Sequence, residues 1–216
     1  MHVVIAGGHG QIALLLERAL ADRGDRAVGL VRNPDHGADL EAAGAEAVVI
    51  DLESTDAATL AGHLKGADAV VFAAGGGPQS GAARKETVDK GAAILLADAA
   101  EEAGVRRYVM VSAMGTDRAD PTSDDVFQVY LRAKSEADAS VRGRDLDWTI
   151  VRPGSLTNEP GTGRVFAAPT VSSGPIPRAD VAAAIAAILD TGAASRTQFE
   201  LVSGDAPIDR ALERLA

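Results

Sequence analysis

Three residues in this sequence have the types and spacing to move a proton at a carbon–oxygen bond. Tyr130-Leu131-Arg132-Ala133-Lys134 sets a phenol and an amine four residues apart. On a helix both side chains share one face. There the Lys134 ammonium can lower the phenol's pKa by its charge, and the Tyr130 hydroxyl can exchange a proton with a substrate oxygen. Ser112 ends an apolar run, Arg107–Val111, where its hydroxyl can orient the same oxygen. Ordinary amphipathic helices also produce this spacing, with the tyrosine as plain core. Both readings of Tyr130 stand at this point.

A second group can hold a phosphate. Gly7-Gly8-His9-Gly10-Gln11-Ile12-Ala13 follows the apolar run Val3–Ala6 directly and opens a helical pattern. In such a strand–turn–helix, Gly7 permits the tight turn, Gly10 leaves room for a pyrophosphate against the backbone, and Ala13 lets the helix pack close to the sheet. Free N–H groups and the dipole at the helix start favour the phosphates. The expected ligand is therefore a dinucleotide, with Lys134 on its nicotinamide ribose.

Its kind should be read at the end of the next apolar run, Ala27–Val31. An acid there would bond a ribose 2′-hydroxyl. The sequence instead continues Arg32-Asn33-Pro34, and a guanidinium can grip a 2′-phosphate with paired hydrogen bonds. NADP is the expectation, and Asp35 keeps NAD open. Asp51-Leu52 follows the third run, where Asp51 either meets the adenine amino group or caps a helix. Ala73-Ala74-Gly75-Gly76-Gly77 follows the fourth, with side chains small enough for close backbone approach.

These residues need a scaffold, and the alternation of patterns describes one. Short, nearly continuous apolar runs predict buried strands at Val3–Ala6, Ala27–Val31, Ala47–Ile50, Ala69–Phe72, Arg107–Val111 and Trp148–Val151. Helical patterns lie between them at Gln11–Arg23, Ala38–Ala43, Ala57–Leu64, Ala82–Ala103 and Asp124–Arg142. Repeated βα alternation implies an α/β fold with a doubly wound parallel sheet (Rossmann), switching direction between the first and fourth strands. The stretch from Arg152 to Pro177 is rich in Gly, Pro, Thr and Ser. A helix at Ala179–Asp190, a strand at Gln198–Val202 and a last helix after Pro207 follow. The expectation is one domain over 1–216, with 152–216 as a small C-terminal elaboration on the substrate side.

Composition removes several functions. The 216 residues carry a formal net charge of −10, which argues against nucleic-acid and anionic-membrane partners. No cysteine is present, so disulfide, thiolate and Cys-metal chemistry are excluded. His2, His9, His36 and His63 show no metal-ligand spacing, and no metal is expected. Asp117, Asp120, Asp124 and Asp125 lack a calcium-loop pattern and predict a solvated loop. No apolar stretch is long enough to cross a membrane. The expectation is a cytoplasmic chain, monomer or homodimer, acting on a small molecule.

The motifs together resemble the atypical short-chain dehydrogenase/reductase superfamily, in its single-domain NAD(P)H-binding branch near the NmrA-like and biliverdin reductase B-like proteins. The similar stretches are Gly7–Ala13, Val31–Pro34, Ala73–Gly77, Arg106–Gly115, Tyr130–Asp138 and Trp148–Gly163. The resemblance implies that Gly7, Gly10, Gln11 and Ile12 surround the pyrophosphate. It further implies Arg32 at the adenosine ribose, Asp51 and Leu52 at the adenine, and Ala73, Ala74 and Gly75 along the ribose side. Pro153 and Gly154 would approach the nicotinamide. Ser112, Tyr130 and Lys134 match the superfamily's reductase triad.

Three functions compete. The first is an NADP-dependent oxidoreductase of a small carbonyl, quinone or flavin substrate. The second is a sugar-nucleotide epimerase or dehydratase, for which little chain remains after Val151. The third is a nonenzymatic NADP-dependent redox sensor, which would not require an intact Ser112, Tyr130 and Lys134. Asn158 and Glu159 are expected to shape the substrate pocket.

Overall fold

A computed structural model describes residues 1–77 and 79–215. Six parallel strands form its centre: β1 (His2–Ala6), β2 (Arg26–Val31), β3 (Glu46–Val49), β4 (Ala69–Phe72), β5 (Arg107–Val111) and β6 (Asp147–Pro153). Their order is β3-β2-β1-β4-β5-β6, so the sheet reverses its winding between β1 and β4. Val3 pairs with Ala27 on one side and Ala69 on the other. This is the doubly wound arrangement, and its crevice opens at the carboxyl ends of β1 and β4.

The strand pleat divides the core. Val3 and Ile5 face a cluster with Leu16 and Leu20 of α1 (Gln11–Asp22) and Ile185 and Leu189 of α7 (Arg178–Thr191). Val4 and Ala6 face the other way, onto Leu60 and Leu64 of α3 (Ala57–Leu64) and Leu96 and Ala100 of α5 (Ala93–Ala103). Every residue of β4 is buried, as a central parallel strand requires. Tyr108 of β5 lies in the second cluster and donates its hydroxyl hydrogen to the Ala93 carbonyl, 2.9 Å away. Short α2 (Gly37–Ala42) leads into β3.

The C-terminal part extends the same sheet. β10 (Thr197–Ser203) runs parallel to β6, and β8 (Arg164–Ala168) and β11 (Ala206–Pro207) add an antiparallel edge. Helix α8 (Ile208–Glu213) follows, packing Ile208 and Leu212 into the first core cluster. β7 (Ser155–Thr157) and β9 (Pro175–Pro177) pair separately as a small parallel sheet. These strands lie where the sequence predicted irregular chain. Pro175 and Pro177 hide β9, because proline lacks the ladder donor and reads as loop.

The predicted helix Ala82–Ala103 is not one regular helix. It begins as a single turn, α4 (Ala82–Arg84), widens into a π-helical segment (Lys85–Ala92), and becomes regular only in α5. Such wide turns cluster at functional sites. Here the segment buries Lys85 and Asp89, two residues that an amphipathic helix normally leaves in water. Helix α6 (Val126–Arg142) lies beside it, capped by Asp125, whose carboxylate accepts from the Phe127 and Gln128 amides.

Candidate functional site

The strand-to-helix turn after β1 is held by backbone alone. The Gly10 amide donates to the Gly7 carbonyl at 2.8 Å and the Gly8 amide to the Leu30 carbonyl at 3.0 Å. Gly7 has φ of +82°, and a Cβ there would lie 2.6 Å from the Ala74 Cα. Gly10 caps α1 without any side-chain hydrogen bond, so the first amides of the helix have no built-in acceptor. This geometry fits a pyrophosphate. We expect Gly7→Ala to weaken NADPH binding at least about tenfold, since left-handed backbone and a backbone clash both oppose the side chain. Unchanged affinity by titration calorimetry would remove the dinucleotide from this turn.

Two cavities meet at Ala73–Gly75. The first, about 510 Å³, is lined by Gly7, Gly10, Arg32, Asp51, Leu52, Ala73, Ala74 and Gly75. Most of the residues expected around the adenosine half are thus brought together. Asp51 is not a helix cap: its carboxylate accepts from the Glu53 amide at 3.0 Å, and Asp56 caps α3 instead. Arg32 at the tip of β2 is tied to Glu53, its Nη1 donating to Oε2 at 3.1 Å.

The second cavity, about 580 Å³, is lined by Ile12, Ala73–Gly75, Val111, Ser112, Tyr130 and Lys134, together with Lys85 and Asp89. Exposed Val126 and Phe127, with Leu156, form an apolar lip around it. Ser112 is buried just past the end of β5; its Oγ makes no hydrogen bond of ordinary geometry among the described residues, although it lies close enough to the Asp138 carboxyl to pull that group's pKa down. A substrate oxygen would supply such a bond.

The titratable groups of this cavity interlock. Lys134 is buried, donates to the Val111 carbonyl at 3.1 Å and lies 3.7 Å from Asp89 Oδ1. Burial pushes its pKa down, against the opposing pull of Asp89 and Asp138. Asp89 Oδ2 accepts from the Gly76 amide at 3.0 Å, fixing the β4 loop to the π-helical segment. The Lys85 Nζ donates to the Gly77 carbonyl at 2.6 Å and lies 5.4 Å from the centre of the Tyr130 ring. The Tyr130 phenol is pushed up in pKa, first by burial and then by the negative charges of Asp89 and Asp138. The sequence predicted the reverse, with Lys134 lowering it. The structure turns the Lys134 ammonium toward Val111 and Asp89, so burial dominates.

Three expected residues lie apart from these cavities. Pro153 and Gly154 line a neighbouring cavity of about 540 Å³, which shares Phe127, Tyr130 and Leu156 with the second. Gly154 also has a packing reason, because a Cβ there would sit 2.1 Å from the Gly174 carbonyl oxygen. Gln11 begins α1, but it lines a separate hollow with Asn158 and Glu159, and Asn158 accepts from Arg178 at 2.7 Å. The Asn158–Glu159 loop therefore does not line the second cavity. The acidic stretch has structural work: Asp117 pairs with Arg152, Asp120 accepts from the Thr122 amide, and Asp125 caps α6. Among the described residues no group of His, Asp and Glu could hold a metal ion. No helix of the described residues is long and apolar enough to cross a membrane.

Lys85 and Asp89 were missed from sequence. A lysine and an aspartate four apart look like a solvated ion pair, and only the Gly91 inside a helical pattern hinted that the turn is irregular. Arg84 and Glu53 were missed because they stand far apart in the chain and only folding brings them together.

Comparison with known proteins bears on the same residues. A family model described as NAD(P)H-binding matches residues 7–192. Sugar epimerase YhfK of Bacillus subtilis, uncharacterized by its own name, is 39% identical over 216 residues, covering 100% of both chains. A solved chain from Bacillus halodurans, whose name assigns it provisionally to the NAD-dependent epimerases/dehydratases, is 38% identical. It covers 100% of both chains with a TM-score of 0.92. The oxidoreductase ylbE of Lactococcus lactis is 26% identical, covering 100% of this chain and 96% of that one, with a TM-score of 0.85.

Proposed function

The chain belongs to the NAD(P)H-binding family of the atypical short-chain dehydrogenases/reductases, and we propose that it is an NADP-dependent oxidoreductase of a small carbonyl, quinone or flavin substrate. The observation that carries this reading is the apolar-lipped cavity in which Ser112, Tyr130 and Lys134 converge beside Ala73–Gly75. A reduced nicotinamide bound along those small residues supplies hydride.

The chain's own groups handle the oxygen. Ser112 Oγ, buried and without a hydrogen bond of ordinary geometry, donates to the substrate carbonyl and orients it. As a C–H bond forms at the carbonyl carbon, the C=O π pair moves onto oxygen. The Tyr130 hydroxyl then gives its proton to that oxygen, and solvent returns one to the phenolate. Burial keeps the phenol protonated at neutral pH, so a proton is there to give, but a raised pKa also makes it a weaker acid, and the transfer is driven by the far more basic alkoxide that hydride addition leaves. The Lys85 cation near the ring face opposes the charge left on Tyr130. The Lys134 ammonium is engaged by the Val111 carbonyl and by Asp89, and through them it holds the cavity floor.

The YhfK name favours a sugar-epimerase reading as the alternative. Against it stands the lip of Val126, Phe127 and Leu156, which offers a sugar's hydroxyls no polar partner. Net NADPH consumption separates the two, since epimerisation returns its cofactor unchanged. In the reductase reading, Tyr130→Phe lowers turnover about a hundredfold and leaves NADPH affinity within twofold. Full turnover in that variant would exclude Tyr130 as the proton donor.

A further inference from the structure

The adenosine-side cavity contains a charge arrangement that bears on which dinucleotide it accepts. Arg32 comes from the tip of β2 and Arg84 from the end of α4, and both line that cavity. Between them stands Glu53, from the turn after β3. Its Oε2 accepts from Arg32 Nη1 at 3.1 Å and lies 3.0 Å from Arg84 Nη2. Its Oε1 accepts from the Thr87 hydroxyl at 2.6 Å. One carboxylate thus bridges two guanidinium groups and is itself steadied by the π-helical segment. The Arg84 Nε is buried and has no acceptor among the described residues.

Two arginines converging at the end of the second strand are a grip for a 2′-phosphate, which accepts paired hydrogen bonds from each. In this chain the grip is already engaged by an anion. A phosphate arriving there meets Glu53 as a rival of like charge. A cofactor without the phosphate meets no such rival, and its ribose hydroxyl can donate to the carboxylate.

We propose that Glu53 sets the choice between the two nicotinamide dinucleotides, by standing between Arg32 and Arg84 where a 2′-phosphate would bind. This rests on the adenosine half occupying the first cavity, but it does not require that the wild-type chain prefer NADPH. Arg84 becomes the second phosphate-gripping residue, one that NADP-binding motifs at the end of the second strand do not reveal. Glu53 narrows the advantage that the arginine pair gives to NADPH.

The test is calorimetric binding of NADPH and NADH to the wild-type chain, Glu53→Gln and Arg84→Met. Glutamine keeps the length and the hydrogen bond to Thr87 and removes the charge. The expected result is about tenfold tighter NADPH binding in Glu53→Gln, with NADH unchanged or weaker. Arg84→Met should weaken NADPH several-fold and leave NADH within twofold. An NADPH/NADH affinity ratio that stays the same or falls in Glu53→Gln overturns the proposal, as does an equal loss of both cofactors in Arg84→Met. A wild-type ratio near one would count against the NADP preference alone. The shift between wild type and variant judges Glu53 separately.

Discussion

Replacing Arg152 by methionine is expected to destabilise the folded chain by about 3–5 kcal/mol, the usual cost of leaving a buried partner charge uncompensated. Arg152 sits in β6 with its side chain 2% exposed. Its Nε donates to Asp138 Oδ2 at 2.9 Å, and its Nη2 donates to Asp117 Oδ1 at 3.1 Å. Asp138 lies on α6, one turn beyond Lys134, and is fully buried. Burial already pushes its pKa up, and Arg152 is the nearest force holding it down. Without the guanidinium, Asp138 must take a proton or keep its charge with only the more weakly coupled Lys134 opposing it. The loss should therefore shrink as pH falls and the proton becomes available. Adding Asp138→Asn to Arg152→Met should recover part of the stability, measured by guanidinium unfolding at pH 5 and pH 8. A single variant as stable as the wild type would show that the pair does not anchor β6 to α6.

That pair also illustrates what the sequence could and could not reveal. Buried parallel strands announce themselves, because nearly every residue must be apolar: Val70, Val71 and Phe72 of β4 leave no other reading. The glycine turn was legible for a related reason. Gly7, with its positive φ and its backbone close to Ala74, is a position no other residue takes without strain. Pair interactions between distant segments leave no such mark. Arg152 opened a stretch rich in Gly, Pro, Thr and Ser, Asp117 belonged to an expected solvated loop, and Asp138 fell inside a predicted helix. Only folding joins them. Glu53, Arg84 and Thr87 form their cluster the same way, from the turn after β3 and the start of the π-helical segment. The widened helical turn itself was invisible, since periodicity counts residues on a regular screw and cannot see a local change in its pitch. The site residues called from spacing, Ser112, Tyr130 and Lys134, do reach one cavity. Their electrostatics did not follow from spacing, because the direction of a pKa shift depends on burial and on Asp89.

Replacing Glu17 by methionine is the complementary case, in which removing a charge should stabilise. Glu17 lies on α1 directly behind the glycine turn after β1, and it is fully buried. Neither carboxyl oxygen has a hydrogen-bond partner among the described residues. Its Oε1 is wedged where Gly8 and Gly29 pass each other, 2.6 Å from the point a Gly29 Cβ would occupy. Desolvation pushes its pKa from the ordinary 4.5 up to about 8. Unfolded, Glu17 therefore gives up its proton near pH 4.5, whereas folded it keeps the proton to about pH 8. Between these values the unfolded chain binds fewer protons, so stability falls as pH rises and levels off above about 8. At pH 7 the accumulated loss is about 3 kcal/mol. Methionine matches the length and volume, favours helix and carries no charge to desolvate. Relative to wild type the variant should gain about 3 kcal/mol between pH 4.5 and pH 7 and be free of the downward slope; the smaller advantage left at pH 4.5 is the cost of the unpaired neutral carboxyl. Guanidinium unfolding at half-unit steps from pH 4.5 to 8.5 reads both curves. Parallel curves would mean that the buried carboxyl finds compensation when it ionises. The wedge at Gly8 and Gly29 would then be polar enough to hold a charge beneath the glycine turn.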